Sequence, residues 1–369
     1  MSEVTKTRQS NIELLRIVSM LMIVIFHFNG HALQAGEAFS AQWFAYNLTH
    51  TLTITATSIF VLISGYFGIH VKVKGVLRLY LQCFIWGLVG YLLYCYLCDV
   101  PVGPSILGRF MPFTHNKMWF IESYLALYFM SPILNAAIAN MDKRKHLSSI
   151  LIFGIVTLYM GYCRETGEDT WGTSATHFMW LYMIARYINK YVSPSAIREH
   201  RWTWLFLFLI TSLITFCLEL LNTKIAGLPV CLRAYPYCSP WTLLGAIGLL
   251  LFALSFSFDS KVVNCTASSV LSSYLLQDNI YFGMNWLYPT IGAWMMTLPL
   301  LTRYSLIVPL SLLFMAIVIA GDKLCDLVLY RPIIKWYVKL EPRIVQTKCF
   351  VRLSEGYRHF VDDGMSSSR

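Results

Sequence analysis

The sequence predicts an all-α fold: a polytopic membrane helical bundle of about ten transmembrane helices with both termini cytoplasmic. Three observations predict it. Hydrophobic residues make up 57% of the 369 positions and charged residues only 13%, an apolar share above the roughly 45 to 50% of soluble globular domains. Mean hydropathy is correspondingly high, at +0.57. Apolar windows of about 20 residues, the length that crosses a bilayer core, recur along the chain. The basic residues between them fall on one side when the windows are threaded alternately, as the positive-inside rule requires. The formal charge of +10 therefore reports orientation first, and no nucleic-acid partner is expected.

The windows run approximately over 12–33, 48–69, 77–98, 118–138, 148–163, 174–192, 202–222, 239–258, 268–289 and 302–325. With the N-terminus inside, His70, Lys72, Lys74 and Arg78 share one inner loop. Lys143, Arg144 and Lys145 occupy the next, and Arg186, Lys190, Arg198 and Arg201 the one after. Glu37, then Asp99 with Arg109 and Lys117, then the acidic Glu165 to Asp169 fall on the opposite side. The basic leader is followed by an apolar segment that Glu13 and Arg16 interrupt, so a cleaved signal is not expected and the first helix stays. Residues 1–330 are expected to form one membrane domain. Residues 331–369 read as a basic cytoplasmic C-terminal tail whose mixed basic and aromatic residues suit an anionic inner leaflet.

The first window, Asn11 to His31, carries Glu13, Arg16, His27 and His31 within an otherwise apolar helix. Ionisable groups there are costly and mark function by default. At 100° per residue Glu13, Met20, His27 and His31 lie within about 40° of one another and Arg16 about 60° from Glu13, so one polar stripe runs along the helix. Arg16 and His27 are eleven steps apart, roughly 16 Å of rise, and so mark two ends of one path. Arg16 could meet an anion, and a neutral His27 could take a proton from a nucleophile. The competing account has Arg16 snorkelling to the interface and His27 bonded to a neighbouring helix.

The second window ends in SIFVLISGYFG, where Ser64 and Gly65 permit close helix approach and a local break. Lys72, Lys74 and Arg78 then place positive charge near Arg16, an arrangement able to hold phosphates that topology alone also explains. The fourth window opens WFIESYLALYFMSPILN, with Trp119, Glu122 and Tyr124 near its outer end. Aromatic faces and carboxylates suit sugar recognition, and an interfacial aromatic belt is the alternative. In the ninth window Gln277, Asp278 and Asn279 interrupt an apolar helix after SSYLL and need polar partners. Of the ten cysteines, Cys95 and Cys98 have no second pair or histidine nearby, so no metal site is expected. Cys231 and Cys238 flank a loop and could pair if it faces an oxidising compartment.

In this order the four stretches resemble the acyltransferase 3 family, integral-membrane O-acyltransferases of bacterial surface and exopolysaccharides. RQSNIELLRIVSMLMIVIFH resembles the family's first helix with its spaced Arg and His. SIFVLISGYF with Lys74 and Arg78 resembles its Ser-Gly segment and basic loop, and WFIESYLALYFMSPILN and SSYLLQDN resemble its later segments. Two positions depart: Glu13 stands where many members have Asp, and Gln277 where a His is expected.

The resemblance implies transfer of an acyl group, most often acetyl, from cytoplasmic acyl-CoA to a sugar hydroxyl at the bacterial inner membrane. No bound cofactor is implied, and acetyl-CoA or another acyl-CoA serves as co-substrate. The partners are acyl-CoA, a sugar or glycolipid acceptor and the lipid bilayer. Carried onto this chain, it implies catalytic roles for His27, either as general base on the sugar hydroxyl or as carrier of the acyl group, and for Glu13, and acyl-CoA binding by Arg16, Ser64, Lys74 and Arg78. Acceptor binding falls to His31, Trp119, Glu122, Tyr124, Tyr274, Gln277 and Asn279. Glu13 lies about 21 Å of helical rise from His27 and cannot orient it directly. No extracytoplasmic esterase-like domain is expected. Buried charge in ten spans also suits a transporter or flippase for a glycolipid or small anion, although no paired halves are visible. A structural partner in polysaccharide assembly is a third option.

Overall fold

A computed structural model describes residues 9–115, 118–164, 171–225, 229 and 232–345. Among these the regular elements are all helical. The first half comprises α1 (Ser10–His27), α2 (Ala41–Thr53), α3 (Ala56–Phe67), α4 (Val73–Leu97), the short α5 (Pro112–His115), α6 (Trp119–Ala139), α7 (Lys143–Thr157) and α8 (Ala175–Tyr191). The second comprises the short α9 (Pro194–Glu199), α10 (Arg201–Lys224), α11 (Pro240–Leu254), α12 (Lys261–Ala267), α13 (Leu271–Gln277), α14 (Tyr288–Met296), α15 (Leu300–Cys325) and α16 (Arg331–Val345). Cys231, Lys117, the acidic Glu165–Asp169 stretch and the tail beyond residue 345 lie outside the described residues, so the Cys231–Cys238 pairing does too.

Seven stretches among the described residues are long and apolar enough to cross a membrane: Ser10–Ala32, Ala41–Phe67, Val73–Leu97, Trp119–Ala139, Lys143–Cys163, Arg201–Lys224 and Leu300–Pro342. They coincide with seven of the ten windows. The sixth window is α8, a 17-residue core helix in which Phe178, Trp180, Leu181 and Tyr182 are all buried. A helix enclosed by protein can carry polar residues that would be costly against lipid. The eighth window is α11, apolar but only 15 residues long.

The ninth window, 268–289, is not one span. α13 stops at Gln277, and a wide π turn (Ile280–Leu287) leads into α14. Two features enforce the break. The Asn279 side chain accepts from the backbone N–H of Tyr281 (3.0 Å) and Phe282 (3.1 Å), capping the new helix start. Gly283 sits against the end of the old helix so closely that a Cβ there would fall 1.8 Å from the Gln277 carbonyl oxygen. Only glycine fits, and the fold-back is written into that position.

α1 lies at the centre, packed against α2, α3, α11, α12, α13 and α15. Its start is pinned by Asn11, whose amide donates to the carbonyls of Ala253 (3.0 Å) and Phe256 (2.9 Å), and by Ser10, whose hydroxyl donates to Asn264 (3.0 Å). α3 lies against α8 with Gly65 at the crossing, where a Cβ would stand 2.8 Å from that of Ala185. Close approach through a small residue is what membrane helix packing uses.

α4 is joined to α15 by a buried carboxylate. Asp322 is fully buried and accepts from Trp86 Nε1 (2.9 Å), Gln82 Nε2 (3.4 Å) and the Tyr330 hydroxyl (3.3 Å). Removing the acceptor strands these donors, at about 1 to 3 kcal/mol each. Asp322→Ala is therefore expected to lower the thermal midpoint of the detergent-solubilised protein well below that of Asp322→Asn, which keeps one acceptor oxygen. Equal melting of both variants and the wild type would show that the carboxylate does not join the helices.

Candidate functional site

Two cavities meet along the polar face of α1. The larger, about 760 Å³, is lined by Arg16 of α1, Ser64 of α3, Arg78 of α4, Tyr124 of α6, Lys261 of α12, Lys323 of α15 and Arg331 of α16, among others. Five cations and one carboxylate, Asp326, line it. Four of the cations are held in place. Arg16 is ion-paired with the buried Glu13 one turn back, and Asp326 bridges Arg78 (3.0 Å) and Arg331 (2.8 Å). Lys323 donates to the Cys265 carbonyl (2.6 Å) and the Ser268 hydroxyl (2.7 Å). On the opposite wall the Ser64 and Tyr124 hydroxyls lie 3.2 Å apart. The volume suits a cofactor-sized ligand, and the excess of positive charge suits a polyanion.

The smaller chamber, about 30 Å³, holds His27, with Thr53, Ile54 and Thr57 on one side and Trp119, Tyr237 and Tyr274 on another. Trp119 and Tyr237 lie against each other, ring centroids 5.2 Å apart. Tyr274 lies 6.4 Å from the His27 ring, and His31 lies 5.5 Å from it and 5.2 Å from Tyr288. Among the described residues the buried Nδ1 of His27 makes no hydrogen bond. Behind Phe26, His50 of α2 approaches within 4.3 Å, although among the described residues no group of three or more His, Cys, Asp or Glu could hold a metal ion. Phe60, Phe120 and Leu271 line both cavities and form the wall between them. The polar stripe of α1 thus faces protein, with Arg16 in one chamber and His27 in the next.

A protein-family model described as an acyltransferase domain matches residues 9–320, which includes all of the smaller chamber's lining and most of the larger cavity's, Lys323, Asp326 and Arg331 lying beyond it. The chain belongs to the acyltransferase 3 family. It is a multi-pass membrane acyltransferase. No curated protein and no solved structure matches the chain.

The acyltransferase brings together much of what its sequence marks. Arg16, Ser64 and Arg78 line the larger cavity, and His27, Trp119 and Tyr274 the smaller. Other positions differ. Tyr124 faces Arg16 and Ser64, not the histidine chamber, because five residues along α6 move a side chain roughly 7.5 Å. Glu122, assigned to the acceptor, is exposed and lines neither cavity, pointing away from the Trp119 face. Asn279 is consumed as a helix cap. Gln277 is buried, its Oε1 accepting from the Tyr288 hydroxyl at 3.5 Å, and borders neither cavity. Lys74 is exposed and outside the cavity wall. His31 is exposed beside the chamber. Glu13 lies beneath Arg16, so its contact is with the cation and not with His27.

Lys261, Lys323 and Arg331 come from three elements far from α1 in the chain, and no motif in the sequence ties them to it. The only local signal was AGDKLCD, three charges near the end of a long apolar helix. His50 and Phe120 carried none, since a lone histidine and a phenylalanine in apolar helices read as packing.

Proposed function

We propose that this acyltransferase moves an acetyl group from cytoplasmic acyl-CoA to a hydroxyl of a surface or exopolysaccharide sugar at a bacterial inner membrane. The observation that carries the proposal is the pairing of a strongly basic cavity with a histidine chamber across one thin wall. CoA carries a diphosphate and a 3′-phosphate, and guanidinium and ammonium groups held on fixed helices are suited to them. With the phosphates among Arg16, Lys261, Lys323 and Arg331, the pantetheine arm extends along α1 towards His27, a helical rise of roughly 16 Å.

At that end His27 serves as general base. It takes the proton of the sugar hydroxyl as the oxygen attacks the thioester carbonyl. The new C–O bond forms, the C–S bond breaks, and the proton passes from the imidazolium to the departing thiolate, so the neutral imidazole is regenerated. Trp119 and Tyr274 line the same chamber and offer the aromatic faces against which a sugar ring packs.

Radiolabelled acetyl-CoA supplied to membranes containing the protein is expected to label the glycan fraction, with equimolar release of free CoA. Movement of a glycolipid across the membrane without donor consumption would overturn the proposal in favour of a transporter. Mass spectrometry of surface glycan from cells with and without the chain would identify the acceptor by the loss of one acyl mass.

A further inference from the structure

A third cavity, a groove of about 360 Å³, opens on the flank of the bundle between the first turns of α1 and the last of α11. Leu14 and Val18 line one side, and Leu249, Phe252 and Phe256 the other. Asn11 closes one end, but both of its amide hydrogens are spent on the carbonyls of Ala253 (3.0 Å) and Phe256 (2.9 Å). The groove therefore asks for an apolar occupant. Seven steps from Asn11 to Val18 make it roughly 10 Å long. Leu14, Val18 and Phe256 are exposed, and Leu14 and Val18 lie about 160° from Arg16 around α1, so the groove backs the helix on the side away from the basic cavity.

On a span that crosses the membrane, such a face meets lipid tails. Tails are as apolar as leucine, so hydrophobicity alone gives no preference for the groove over the bilayer, and any preference must come from the headgroup. At the rim Arg201 of α10 holds its guanidinium 5.5 Å from the centroid of the Phe256 ring. Among the described residues it has no carboxylate partner. Asp259, next to Phe258, instead accepts from Ser10 (3.2 Å) and Asn264 (3.4 Å). Trp202 lies 6.1 Å from Phe252, and a tryptophan at such an edge marks headgroup level.

We propose that this groove seats an acyl chain of an anionic phospholipid from the leaflet at the end where α1 begins, with the lipid phosphate paired to Arg201. A guanidinium can meet a phosphate through two parallel N–H···O contacts, and basic sites between membrane helices select anionic headgroups. The bound lipid braces the face of α1 opposite Arg16. The site is independent of the donor and acceptor argued above.

The test places the full-length protein in phosphatidylcholine nanodiscs carrying a small equal fraction of either phosphatidylglycerol or phosphatidylcholine with a photoreactive acyl chain, and maps the cross-linked peptides by mass spectrometry. Peptides holding residues 11–18 and 249–258 are expected to take about fivefold more label from the phosphatidylglycerol probe, the roughly 1 kcal/mol that one cation contributes near an anionic surface. The preference is expected to weaken at high salt, to vanish in Arg201→Gln and to survive in Arg201→Lys. Val18→Trp fills the groove and is expected to remove most label from these peptides with either probe, while the exposed face of α10 around Phe206 and Leu213 keeps its labelling as a check that the bundle is intact. Equal labelling of the wild-type groove by the two probes would overturn the proposal, as would a phosphatidylglycerol preference that Arg201→Gln leaves unchanged. Because Arg201→Gln alters only a half-buried side chain at the rim, its outcome decides the matter even if Val18→Trp fails to fold.

Discussion

His27→Ala is expected to reduce label transfer from acetyl-CoA to background while leaving the protein normally inserted and stable in detergent. A positioned general base contributes about 10²- to 10⁴-fold, and among the described residues His27 is the one imidazole lining the chamber, with Thr53, Thr57, Tyr237 and Tyr274 as polar companions. Since the buried Nδ1 makes no hydrogen bond among the described residues, the substitution leaves no stranded partner on that side, and the folding cost is mainly a small void. His27→Gln, which keeps a polar side chain but cannot take the proton, is expected to be as inactive as the alanine variant. Either variant transferring label at the wild-type rate would remove His27 from the chemistry.

Arg16→Ala is expected to act on the donor: a rise in the KM for acetyl-CoA with a much smaller change in kcat. Hydrogen bonds to a charged group are worth about 1.5 to 3 kcal/mol, which is roughly ten- to a hundredfold in affinity. The substitution also leaves Glu13 buried beside an anion site without its ion-pair partner, which moves affinity in the same direction. Glu13→Gln separates the two effects. If Glu13 aims Arg16, the neutral amide weakens donor binding less than Arg16→Ala does and leaves the pH profile of kcat where it was. An unchanged KM in Arg16→Ala would assign the residue to topology or packing.

The architecture was legible where one helix carries its own signal. Seven long apolar helices stand out by length and composition, and the stripe of α1 follows from a 100° rotation per residue. Legibility failed where neighbours decide. Nothing local distinguishes α8 from a lipid-facing helix, because its polar residues are tolerated only through the protein around it. The ninth window hid its break, since QDN followed by a glycine four residues later reads as a polar interruption until the chain is seen folding back on the Gln277 carbonyl. The candidate site divides the same way. Arg16 and His27 were readable as a pair on one face, whereas Lys261, Lys323 and Arg331 converge on Arg16 only through tertiary packing. Glu122 and Tyr124, two residues apart, separate because a helix turns about 200° between them.

Arg331 is both the first residue of α16 and part of the cavity wall, and helical backbone runs through residues 326–330 without a gap from α15 into α16. The boundary expected at residue 330 therefore cuts through the wall of the larger cavity and not behind it. Trimming the chain there would free Asp326 from one of its two guanidinium partners and open one flank of the chamber to water. A shortened protein would then behave like a binding-site mutant, and a bulky tag grafted at that point would imitate a competitive inhibitor.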